Sequence, residues 1–112
     1  MKESNQQRAA KILKPYRKQL DELDQKFIKL LAQRFGIIRK VAKIKTKYEL
    51  PSFLHDRVEE VRNTRVALGK KYGINPQFMY ALYSAIIYQS CGLEDEIKTK
   101  LLSKKKRPKK RK

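Results

Sequence analysis

The sequence predicts an all-α chain of three helices, one long and two shorter, in a homodimeric helical bundle. Three observations carry this reading. Apolar residues recur at steps of three and four along most of the chain, and no useful window shows the two-residue alternation of half-buried strands. The first helix is also too long for its own chain to cover.

That helix comes first in order. Pro15 fits a first helical turn, and beyond it Leu20, Leu23, Phe27, Leu30, Arg34, Ile37, Val41 and Ile44 form one seam running to about Tyr48. Lys14 precedes the proline and is pushed away from helical dihedrals. Residues 1–14 are therefore read as a flexible N-terminal segment with at most a frayed turn or two. Glu49, Leu50, Pro51 and Ser52 make a break. Leu54, Val58, Val61, Arg65, Leu68 and Tyr72 then mark a second helix that Gly73 can end. Asn75 followed by Pro76 joins a side-chain cap to a residue pre-set for the first turn. Phe78, Leu82, Ile86 and Leu93 continue it as a third helix to about Thr99, with Gly92 its weak point. The helical body is thus 15–100, and 101–112 reads as a disordered basic tail.

A helix from residue 15 to residue 48 spans about 50 Å, whereas a compact domain of this size is about 35 Å across. Its apolar seam needs more cover than two short helices provide, and a second copy lying alongside supplies it. An obligate homodimer is the expectation.

The 112 residues suit one domain with a thin core. Hydrophobic residues make up 40% and charged ones 36%, too apolar a mix for a disordered chain. The formal charge is +18, and eight of the 29 basic residues lie in 104–112. The remainder still carries 21 basic residues against 11 acidic ones, so an anionic ligand or partner is expected. Cys91 is the single cysteine, which excludes an intrachain disulfide and favours a reducing compartment. Residues 1–13 lack the apolar run of a signal peptide, and no stretch reaches the roughly 20 apolar residues of a membrane span. The expected location is cytoplasmic, with no membrane association.

The glycines at 36, 69, 73 and 92 form no phosphate loop, and His55 stands alone, so neither a metal nor a cofactor is expected. What remains is a set of cations. Arg34 occupies a seam position that the pattern reserves for apolar residues. Lys45, eleven residues on, returns to within about 20° of it after about 16 Å of rise, with Ile38 and Val41 between. Two such side chains can bracket a metabolite-sized anion. On spacing alone the favoured reading is that both are solvated cations whose stems cover apolar surface.

Several pieces then stand in a familiar order. Arg17, Leu20-Asp21-Glu22-Leu23-Asp24, Leu30-Leu31-Ala32-Gln33-Arg34, Val41-Ala42-Lys43-Ile44-Lys45, Asp56-Arg57 and Ile86-Ile87 through Ser90 together resemble the all-helical chorismate mutases over about residues 16–96. The resemblance implies an intertwined dimer that rearranges chorismate to prephenate in aromatic amino acid biosynthesis. It also implies that Arg34, Lys45 and Arg57 of one chain, with Arg17 of the other, hold the two substrate carboxylates and the ether oxygen. Ser90 adds a polar contact from the third helix. A trans role for Arg17 has separate support, because it lies about 25 Å of helix rise from Arg34 and both can reach one small molecule only across a dimer. Without the resemblance, Arg17 reads as a solvated charge, Arg57 as a helix-start arginine pairing with Glu60, and Ser90 as a small residue facing a neighbouring helix.

The implied reaction is a unimolecular pericyclic shift, which needs no nucleophile and no proton transfer. Catalysis then consists of selecting the compact substrate conformer and placing fixed donors where charge grows on the breaking ether bond. Lys45 is the residue expected to act there.

The sequence departs from the family pattern at three positions. Glu94 stands where the family has a glutamine that donates to the ether oxygen. An ionised carboxylate cannot donate, so Glu94 serves only as the acid, and activity is expected to favour acidic pH. Val58 and Leu54 stand where the family has acidic residues, one of them holding the substrate hydroxyl. A hydroxyl left unpaired in a dry site costs about 1 to 3 kcal/mol. Asp56-Arg57-Val58 instead looks like the related isochorismate pyruvate lyases, which makes that activity the alternative on the same fold. An alternative of another class is a basic helical module that binds nucleic acid or an acidic partner, with 104–112 holding a polyanion weakly by counterion release.

Overall fold

The computed structural model describes residues 2–106, and three helices account for most of them: α1 (Asn5–Lys47), α2 (His55–Lys71) and α3 (Pro76–Lys106). Packing divides the chain into two units, Met1–Arg34 and Phe35–Lys112.

The first unit is the N-terminal part of α1, and its start differs from the sequence expectation. The helix begins at Asn5 rather than at Pro15, which lies inside it. The physical reason is a capping box. The Ser4 hydroxyl accepts the Gln7 backbone N–H at 3.1 Å, and the Gln7 side-chain oxygen accepts the Ser4 N–H at 2.9 Å. Two orphan donors are satisfied at once, which offsets the one backbone hydrogen bond that a proline cannot make. Leu20, Leu23, Phe27 and Leu30 are between 48% and 62% exposed. A large apolar stripe of this kind marks a surface built to be covered.

The second unit holds the end of α1 with α2 and α3. Helices α2 and α3 pack through Val58, Val61 and Ile87, with Tyr83 and Cys91 against them. Gly69 on α2 marks a close approach, since a Cβ there would stand 2.4 Å from Cγ of Met79.

Both α1 and α2 end in a Schellman turn. After α2, the Ile74 N–H donates to the Gly69 carbonyl at 2.9 Å and the Gly73 N–H to Lys70 at 3.0 Å, with Gly73 at φ +77°. After α1, Leu50 donates to Lys45 at 2.7 Å and Glu49 to Thr46 at 3.2 Å, with Glu49 itself at φ +57°. Glycine takes this conformation freely and glutamate does not. The two positions should therefore respond oppositely in urea denaturation. Gly73→Ala is expected to lose about 1 kcal/mol, and Glu49→Gly to gain about 0.5 to 1 kcal/mol. Equal responses would show that the turns are not strained as described.

Helix α3 starts as expected, with the Asn75 side-chain oxygen accepting the Phe78 N–H at 3.0 Å. Its end is a second correction. The helix continues through Leu101 and Leu102 to Lys106, so the first half of the segment 101–112 is helical and not a disordered tail. No glycine or proline intervenes between Thr99 and Lys106, and the next helix breaker in the sequence is Pro108. The remainder of the basic segment, 107–112, lies outside the described residues. Among the described residues, no helix is long and apolar enough to cross a membrane.

Candidate active site

Within the second unit the chemistry gathers around Lys45, in the last turn of α1. The cap that ends α1 folds the following loop back, because the Lys45 backbone carbonyl is itself the acceptor for Leu50. This brings the Ser52 carbonyl over the Lys45 ammonium, which donates to it at 2.9 Å. From the other side α3 presents Glu94, whose Oε1 lies 2.7 Å from Nζ. The side chains are 17% and 5% exposed, so this ion pair is largely dry. Oε1 stands in ion-pair range but out of hydrogen-bond alignment, which leaves it a buried acceptor without an aligned donor.

Two neighbours on α3 complete the surroundings. Cys91 points its thiol at the same Ser52 carbonyl, 4.0 Å away. Burial pushes the Cys91 thiol up from its usual value and the Glu94 charge adds to that, while Lys45 opposes it. The thiol therefore stays protonated at neutral pH and unreactive. Ser90, one turn before Glu94, is buried and donates its hydroxyl to the Ile86 carbonyl at 2.8 Å.

Of the residues singled out by sequence, the structure thus brings Lys45 and Glu94 into contact and places Ser90 one turn away on the same helix. Arg57 is in the first turn of α2, exposed and paired with Glu60, which is the local alternative that the sequence also offered. Arg34 is half-buried and engaged, and Arg17 is exposed, both in the first unit. Val58 packs in the α2 and α3 core, so no acid faces α3 from that position. Leu54 is the N-cap residue of α2 and forms no side-chain cap bond. The position therefore offers no polar side chain to a ligand.

Two features escaped the sequence reading. The Ser52 carbonyl is a backbone group, and no residue type announces it. The pairing of Lys45 with Glu94 was missed because each was read singly as a donor. Opposite charges at two neighbouring positions of one candidate site were the available signal.

At the pair itself the carboxylate offsets the charge of the ammonium.

Comparison with known proteins adds the family. The model of the family described as chorismate mutase type II matches residues 16–95. The chain is 31% identical over 96 residues to a bifunctional chorismate mutase/prephenate dehydratase of Aquifex aeolicus, covering 83% of this chain and 26% of that protein. It is 29% identical over 80 residues to a 4-amino-4-deoxychorismate mutase of Streptomyces pristinaespiralis, covering 71% of this chain and 62% of that one. A 4-amino-4-deoxychorismate mutase of Streptomyces venezuelae is 26% identical over 83 residues, which cover 74% and 81%. The chain thus spans about a quarter of the Aquifex protein and less than two thirds of the first Streptomyces one. With the family model covering most of its length and all three helices, the chain belongs to the chorismate mutase type II family.

Proposed function

We propose that the protein is a chorismate mutase that converts chorismate to prephenate in the cytoplasm, as a homodimer with two composite sites. The observation that carries this reading is the largely dry Lys45 ammonium, fixed between the Ser52 carbonyl and Glu94 within the stretch that the family model matches. The exposed seam of α1 is covered by the partner copy, and the partner's α1 brings Arg17 to a site that holds Arg34, Lys45 and Arg57. Arg57 leaves Glu60 to bind a substrate carboxylate. The exchange costs little, because exposed pairs of this kind contribute at most about 1 kcal/mol.

The rearrangement needs no proton transfer, so these groups act by position. The guanidinium groups grip the two carboxylates and hold the compact conformer. An ammonium has three donors, and with one on the Ser52 carbonyl, Lys45 keeps others for the ether oxygen as its bond breaks. Ser90 adds a polar contact by turning its hydroxyl from Ile86. Glu94 orients Lys45 as a carboxylate and becomes a second donor to the ether oxygen only as the acid.

Purified protein incubated with chorismate should yield prephenate. The same rearrangement of 4-amino-4-deoxychorismate is a second reading, favoured by the Streptomyces relatives. Cleavage of isochorismate to salicylate and pyruvate is the third. Offering all three substrates and identifying the products ranks them, and no turnover of any would refute the enzymatic reading.

The role of Glu94 has its own test. Glu94→Gln puts a neutral donor in place of the carboxylate and should turn over about tenfold faster at neutral pH. A rate insensitive to the substitution would remove Glu94 from the chemistry.

A further inference from the structure

We propose that the first turns of the partner's α1 dock along the end of α3, so that two helix extensions clamp the composite site. The inference rests on the dimer proposed above, in which Arg17 acts in trans. The family model spans residues 16–95, yet both helices run on past it. Helix α1 starts eleven residues before the match, at Asn5, and α3 ends eleven residues after it, at Lys106. The two ends of the match are the places that the composite site joins, since Arg17 stands at one and Glu94 at the other. Helices that meet there antiparallel carry their extensions in the same direction, for about 16 Å at roughly 1.5 Å per residue.

The two surfaces match in kind. The seam of α1 does not stop at Leu20, because Tyr16, Ile12 and Ala9 continue it toward the N-terminus at steps of four, four and three. Ile12 and Tyr16 are each 63% exposed. Lys11, Lys14 and Lys18 fall on the opposite side of the helix and Arg8 at the edge of the stripe, which leaves the stripe itself apolar. On α3 the face that carries Ser90 and Glu94 continues as Ile97 and Leu101, three and then four residues on. Both are half-buried, and Leu102 beside them is exposed. A short helix in water is marginal, and most of its stability in a protein comes from packing an apolar face. An extension that is capped at Ser4 and still holds its stripe out to solvent is therefore built for a neighbour. The stripe that leads away from Glu94 is the surface lying along its path, so a second copy is the occupant. Packing there fixes Arg17, the next residue of α1 after Tyr16, over the site.

A cross-linking experiment tests the contact in the full chain. In a Cys91→Ala background, Ile12→Cys combined with Ile97→Cys or with Leu101→Cys should oxidise to a disulfide-linked dimer on a nonreducing gel, the two positions spanning one turn of register. Lys14→Cys with the same partners should stay unlinked. Sedimentation gives the second measurement. Ile12→Asp and Leu101→Lys should each weaken dimerisation at least about tenfold, whereas an exposed position would respond little. Together they should return to within about threefold of wild type, because opposite charges then meet across the contact. A dimer that links at neither position, or links only within one chain, overturns the docking and leaves the composite site standing. So does Ile12→Asp dimerising like wild type. A monomeric wild type overturns both the docking and the reading on which it rests.

Discussion

Replacing Lys45 by methionine is expected to lower turnover by about 10² to 10³-fold and, separately, to destabilise the fold by about 3 kcal/mol. The first effect is the loss of a fixed donor at the breaking ether bond. The second has a different origin. Glu94 is 5% exposed, and its neutralising partner is the ammonium 2.7 Å away. A buried carboxylate stripped of its partner costs about 3 to 5 kcal/mol, and the partial exposure of Lys45 puts this case at the low end. The two effects part in the double variant Lys45→Met with Glu94→Met. Exchanging both members of a buried pair for apolar side chains of similar size is close to neutral for stability. The double variant should therefore recover most of the wild-type urea midpoint while remaining inactive. A double variant as unstable as the single one would show that the pair does not carry the energy assigned to it. Retained turnover in either would displace Lys45 from the chemistry.

Mixing two inactive variants should restore activity if Arg17 acts across the dimer. Arg17→Ala and Arg34→Ala should each lose at least about 10²-fold, since each removes one charged grip on a carboxylate. A heterodimer of the two has one site with both arginines intact and one with neither. Unfolding and refolding an equal mixture should give heterodimers as half of all dimers, and hence about a quarter of the wild-type rate. The surface for a partner copy is the α1 seam, where Leu20, Leu23, Phe27 and Leu30 stand exposed in the single chain. No recovery on mixing, with both variants shown to be dimeric, would mean that the two arginines serve the same chain or that Arg17 serves neither. A monomer by sedimentation would remove the composite site altogether.

How far the chain could be read without its structure depended on sequence distance. The seam of α1, the Asn75 cap and the Gly73 turn are local, so periodicity and residue type were sufficient. The N-terminal error was also local. Pro15 drew the reading, although Ser4 and Gln7 already formed the three-residue spacing of a capping box. Arg57 illustrates the opposite case. Its contact with Glu60, three residues on, was legible as a helix pair, and the family pattern pointed away from it.

The sequence by itself determined three helices, their register, the family motif and the excess of positive charge, because each depends on residues within a few turns of one another. The tertiary structure alone decided that Glu94 lies against Lys45, 49 positions earlier, and that the Ser52 carbonyl closes over the same ammonium. Dry ion pairs and backbone acceptors form only where distant segments exclude water together. Burial is a property of the packed chain, and no local run of residues encodes it.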